Sequence, residues 1–146
     1  MDNPPAAQEL EDKGFHALFD LAALKLPTAN VTVVVQRTYL ESHRDVAQRY
    51  VDSLVQGAAR ARKDGPFTVS VAKKYFKLDD DKALKDTYDF FIGEIAPSLP
   101  YPRPEQFADA IEVLAQKNDK VRSLDLNTVL DATFVDSAAK RGLDKT

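Results

Sequence analysis

"NVTVVVQ", residues 30–36, decides how this chain is read. Val31, Thr32, Val33, Val34 and Val35 are all β-branched, and such side chains pack well on a pleated surface while losing rotamer freedom in a helix. The run therefore predicts a strand. A strand carries two rows of backbone donors and acceptors that need neighbours. The sequence offers at most one. In "FHALFDLAAL", residues 15–24, Phe15, Ala17 and Phe19 alternate with His16, Leu18 and Asp20. The stretch is too short for periodicity to separate a half-buried strand from a helical turn. A strand is thus expected whose sheet lies largely elsewhere.

The surroundings read as helix. Asn3 before Pro4-Pro5 marks a helix start, with Ala6, Ala7 and Leu10 on one side and Gly14 as its end. After the strand, Thr38 and Glu41 have capping-box spacing. Val46, Tyr50, Leu54 and Ala58 then recur every fourth residue, with Val51 and Val55 beside them, as a broad apolar stripe. Arg60, Arg62 and Lys63 suit the negative end of that helix, and Gly65 closes it. Pro66 opens a helix reaching Tyr75 and Phe76. Asp79-Asp80-Asp81 caps another, with Leu84, Tyr88, Phe91, Ile92 and Ile95 on one face. "APSLPYPRP", residues 96–104, has four prolines in nine residues and predicts an extended connection. Phe107, Ala110, Ile111 and Leu114 mark a further helix. The tail from Leu124 to Leu143 carries Leu126, Val129, Leu130, Phe134 and Val135, predicting two short helices. The expected fold is α/β and helix-dominated, about six helices and one or two short strands in a single unit over residues 1–146.

The totals narrow the function. At 146 residues the chain has the size of one domain, and 44% hydrophobic with 29% charged residues is ordinary for a soluble protein. Twenty basic against 23 acidic side chains leave a net charge of −3, which gives no overall attraction to nucleic acid or anionic lipid. Without cysteine there is no disulfide, thiolate nucleophile or Cys-based metal site. "MDNPPAAQELEDKG" has no apolar segment of the secretory type, and Val31–Val35 is far too short to span a bilayer.

The residues that suggest chemistry have plainer readings. An EF-hand loop begun at Asp79 would need glycine at its sixth position and an acid at its twelfth, where Leu84 and Phe90 stand. His16 and His43 have no partner histidine at helical spacing and read as surface residues. No serine occupies a Gly-flanked elbow, and no glycine-rich phosphate loop is present. Arg60-Ala61-Arg62-Lys63 reads as a helix end rather than a nucleic-acid patch. In "LDATFVDSAAKRGL", residues 130–143, Leu130, Phe134 and Val135 share one helical side. Asp131 then precedes a helical turn, with Asp136 and Ser137 outward; capping and solvation account for them. No catalytic residue, metal ligand or cofactor is predicted.

Five segments in order carry a resemblance: "KGFHALFDLAAL" (13–24), "VVVQRTYLESHRDVAQRYVDSLVQGA" (33–58), "AKKYFKLDDDKALKDTY" (72–88), "PYPRPEQFADAIEVLA" (100–115) and "LDLNTVLDATFV" (124–135). Over roughly residues 4–143 the chain resembles the C-terminal part of a solute-binding protein of the nitrate/sulfonate/taurine ABC-transporter class. That class is related to thiamine-pyrimidine binding and synthesis proteins. The resemblance implies a partial periplasmic-binding-protein-like lobe, with a chain crossover near residues 26–36. It implies a small anionic or heterocyclic solute, an ABC permease as partner, and either an N-terminal lobe or a second copy of the chain to complete the cleft. Thr28 and Asn30, polar residues at the crossover, are the ligand-binding candidates. The fragment alone is expected to be ligand-incompetent, since a cleft needs both walls. The implied location is periplasmic or extracellular, or cytoplasmic if Met1 is a natural start. Neither nucleic acid nor direct membrane insertion is expected. The competing readings are a helical interaction or self-associating module and, more remotely, an enzyme akin to the pyrimidine-synthesising proteins.

Overall fold

The computed structural model describes residues 6–20, 22–29 and 31–146. Among them the chain forms six α-helices: α1 (Ala6–Asp12), α2 (Arg37–Lys63), α3 (Gly65–Phe76), α4 (Asp81–Tyr88), α5 (Ala108–Ala115) and α6 (Thr133–Lys140). A π-helical segment, Asp89–Ile95, continues α4, and short 3-10 turns occupy Ala22–Leu24, Pro104–Phe107, Asp119–Ser123, Leu126–Thr128 and Leu143–Lys145. The helix-dominated expectation holds.

The strands do not form. Residues 32–36 run without regular structure, and no strand occurs among the described residues. The β-branched run has the local preference for a strand, but a ladder needs a second chain segment beside it. The 15–24 stretch does not supply one; it is irregular apart from the Ala22–Leu24 turn. A periplasmic-binding-protein-like lobe, which requires a sheet, is therefore absent from the described residues. The Asn3–Pro5 helix start lies outside them.

Side-chain caps start two of the helices, α3 and α4. Asp80 Oδ1 accepts from the Ala83 N–H at 2.9 Å and caps α4. Asp64 Oδ1 accepts from the Phe67 N–H at 3.1 Å and caps α3, with Pro66 in the first turn. The Thr38/Glu41 capping box does not form. Tyr39 and Leu40 N–H already bond to the Gln36 carbonyl, each at 3.1 Å, so Thr38 lies inside the helix and no side chain caps α2. At His43 the backbone leaves helical geometry (φ −131°, ψ 30°), kinking α2 after its first turns. There the imidazole stacks on Tyr39 at 4.2 Å between ring centroids.

α2 is the axis of the helical body. It packs against α6, the Leu143–Lys145 turn, α3 and the π-helical segment, while α3 packs on α4, and α5 on its two flanking turns. The apolar residues fully withdrawn from solvent are few: Val55 and Ala59 of α2, Ala83 and Leu84 of α4, Ala115 of α5, and Phe134, Val135 and Ala138 of α6. Four of the eight are alanines, which let helices approach closely but make the core thin. Gly65 marks one close approach. A Cβ there would meet the Tyr88 hydroxyl at 3.1 Å, while that hydroxyl donates to the Ala61 carbonyl at 3.0 Å.

Candidate functional site

The crossover segment is held to the helical body at two points. The Ala29 N–H bonds to the Gln106 carbonyl at 3.0 Å, and the Arg37 guanidinium reaches the Thr128 carbonyl at 3.2 Å. Between these tethers Val31 is 90% and Val34 86% exposed, with Val33 also exposed; Leu26, ahead of them, is exposed as well. Thr28 is exposed. Asn30 lies outside the described residues.

Long α2 carries one broad apolar stripe, buried along one edge and exposed along the other. Val55 and Ala59 face the core. Val46, Tyr50 and Leu54, one residue or more around the helix, face solvent together with Tyr39. At about 100° per residue, Val55 lies on the side opposite Val46. The broad stripe visible in the sequence thus spans about half the circumference, and its Val46, Tyr50 and Leu54 edge is uncovered. The sequence signal was present, since Val51 and Val55 widen the stripe beyond one face.

The polar groups near the chain's end fasten α6 and the residues after it to α2. Arg141 grips Asp52 with two parallel bonds, Nη1 to Oδ2 at 2.7 Å and Nη2 to Oδ1 at 2.5 Å. Gln48 Nε2 donates to Asp52 Oδ1 at 2.7 Å and to the Phe134 carbonyl at 2.9 Å, joining α2 to α6. The hydrogen bonds from Arg141 hold the Asp52 carboxyl below its ordinary value of 3.8, against an opposing effect of burial. A turn away, Asp131 accepts from the Thr133 N–H at 3.0 Å and its hydroxyl at 2.5 Å, and Arg44 Nη2 bonds to Asp131 Oδ2 at 3.1 Å and to Thr133 Oγ1 at 2.9 Å. The Arg44 guanidinium also lies 4.5 Å from the Phe134 ring centroid. Burial pushes Asp131 up, but the Thr133 and Arg44 hydrogen bonds outweigh it and hold the carboxyl low. Asp136 accepts from the Tyr101 hydroxyl at 3.1 Å, and Ser137 Oγ from Arg141 at 3.2 Å. Asp131 and Thr133 thus tie the start of α6 to α2, while Asp136 ties it to Tyr101 and Ser137 bonds within its own segment.

Other candidates resolve in the same way. His16 is exposed. His43 Nδ1 lies 2.8 Å from Ser42 Oγ and 3.1 Å from the Tyr39 carbonyl, contacts local to the kink. An open concavity of about 510 Å³ is lined by Arg62, Tyr88, Asp89, Ile92, Gly93 and Glu94. Its polar groups are mostly spent internally: Arg62 donates to the Ala96 carbonyl at 2.6 Å, and Asp89 pairs with Lys85. Among the described residues no group of three or more His, Asp or Glu side chains is placed to hold a metal ion. None of their helices is long and apolar enough to cross a membrane. No protein-family model, characterised protein or solved structure matches this chain.

Proposed function

We propose that the chain is one part of a two-lobed solute-binding component of an ABC importer, completed by an α/β part that covers the outer face of α2 and pairs with Val31–Gln36. One observation carries this reading: α2 leaves Val46, Tyr50 and Leu54 of its apolar stripe in solvent while Val55 and Ala59 are buried. The bare β-branched run that leads into the same helix supports it. A near-continuous run of valines suits a strand buried on both faces of a parallel sheet, with helices such as α2 lying over it. The strand and the binding-protein-like lobe would thus appear on assembly. Residues 26–36 would form a crossover, with Thr28 and Asn30 at the cleft edge and the bend of the crossover allowing the lobes to close on a nitrate-, sulfonate-, taurine- or pyrimidine-like solute. The completed component would hand that solute to a permease.

The test joins this chain to the N-terminal lobe of a binding protein of that class and screens nitrate, taurine, alkylsulfonates and pyrimidines by thermal shift. The reading predicts saturable stabilisation by one solute in the joined protein and by none in the chain alone. Free hydrogen exchange at residues 31–36 in the joined protein, with no solute response, would count against it. The same bare surfaces favour a second reading, a self-associating module built by strand addition between copies. Light scattering separates them: a stable dimer with protected 31–36 amides supports the second.

A further inference from the structure

A different exposed face lies on α3. Phe67, Val71 and Tyr75 fall at i, i+4 and i+8, forming a stripe along the helix. The half-buried positions of α3, Gly65, Thr68, Val69 and Ala72, lie on its other side, and the helix packs on α2 and α4. Phe67 is 49% and Tyr75 72% exposed, and Phe76 is exposed at the helix end. Cations sit among these rings. The Arg60 guanidinium is 5.0 Å from the Phe67 centroid, and Lys74 Nζ is 5.5 Å from that of Tyr75. Exposed Lys63 and Lys77 flank the stripe at the end of α2 and at the left-handed C-cap of α3.

The charge is concentrated here. Residues 60–77 hold six basic residues and one acid, in a chain whose net charge is −3. That acid, Asp64, is engaged by Arg60 at 2.7 Å and by the Phe67 N–H. The nearby Asp79 and Asp81 lie against Lys73, at 3.7 and 2.9 Å, on another flank of the helix. The overall charge gives no attraction to an anionic surface, but its distribution does.

The geometry points to an anionic lipid surface as the occupant of the Phe67–Val71–Lys74–Tyr75 face. Aromatic rings settle at headgroup depth, and lysine stems lie along apolar surface while their ammonium groups reach phosphates. Each cation near such a surface adds attraction that salt screens. The face is a convex helix side. A protein partner would need an acidic groove shaped to the three anchors, whereas a fluid headgroup layer adapts to them. The docking is superficial and is independent of the solute-binding reading.

Co-sedimentation of the whole chain with vesicles tests it, comparing phosphatidylglycerol mixed into phosphatidylcholine with phosphatidylcholine alone. The expected result is partitioning onto the anionic vesicles only, weakening as salt is raised. Combining Lys63→Gln, Lys74→Gln and Lys77→Gln should weaken partitioning about a hundred-fold, at about five-fold per cation. Phe67→Ser with Tyr75→Ser should also weaken it, while Lys117→Gln, Lys120→Gln and Lys140→Gln together should leave it nearly unchanged. Equal partitioning onto both vesicle types, equal loss in the Lys117/Lys120/Lys140 control, or binding to soluble polyglutamate without binding to vesicles would overturn the proposal.

Discussion

Two adjacent residues of α2 should respond very differently to the same substitution. Val55 is 0% exposed, and Leu54, the next residue, is 42% exposed on the outer face. Val55→Gln removes a fully buried apolar side chain, worth about 1.5–3 kcal/mol. It also puts an amide where no water reaches, adding about 1–3 kcal/mol if it stays unpaired. The sum, about 2.5–6 kcal/mol, rivals the whole stability of a modest domain, which starts near about 5 kcal/mol. Leu54→Gln keeps helix propensity almost unchanged and leaves the new amide in water, so about 1 kcal/mol or less is lost. In urea, with a slope of about 2 kcal/mol per molar, the Val55 variant should move the midpoint by roughly 2 M or show no folded baseline, and the Leu54 variant by about 0.5 M or less. Circular dichroism during urea titration reads both. A Leu54→Gln variant as damaging as Val55→Gln would mean that the outer face is already covered, and the reasoning about α2 would fail.

Acid should loosen the fastening of α6 to α2. The folded Asp52 carboxyl titrates below its ordinary value of 3.8, so its contribution is full above that value and is lost as pH falls through the depressed one. Urea midpoints measured from neutral pH downward should therefore fall more for the wild type than for Asp52→Asn, which is weaker at neutral pH but has no such carboxylate to protonate. Gly142 follows α6 in left-handed backbone, at φ 69°. Gly142→Ala should cost about 1 kcal/mol in the same assay, because a Cβ is disfavoured there, although no atom lies within 4 Å of where it would be placed.

What was legible in the sequence is what local chemistry controls. Asp80 before Ala83 and the proline-rich stretch 96–104 act within a few residues, and both behave as their spacing predicts. Asp131 was readable in the same way, as an acid turned back on the next residues, though its grip on Arg44, 87 positions away, was not. Likewise nothing local tells that Asp52 and Arg141, 89 residues apart, will meet. The α2 start was misplaced because Gln36 accepts the first helical bonds two residues before Thr38. The strand at 31–36 failed for a different reason. Its composition is right, but pairing is a property of two segments, and only one is present among the described residues. The ligand-binding candidates Thr28 and Asn30 came from the resemblance rather than from local chemistry; Thr28 is exposed, and Asn30 lies outside the described residues.

Hydrogen exchange at the backbone amides of Val31–Gln36 bears most directly on whether this surface is built to be covered. In the chain alone, as a monomer by light scattering, these amides should exchange nearly as fast as in an unstructured peptide while those around Val55 are protected. Strong protection of residues 31–36 in that monomer would reveal a partner strand within the chain and contradict the account.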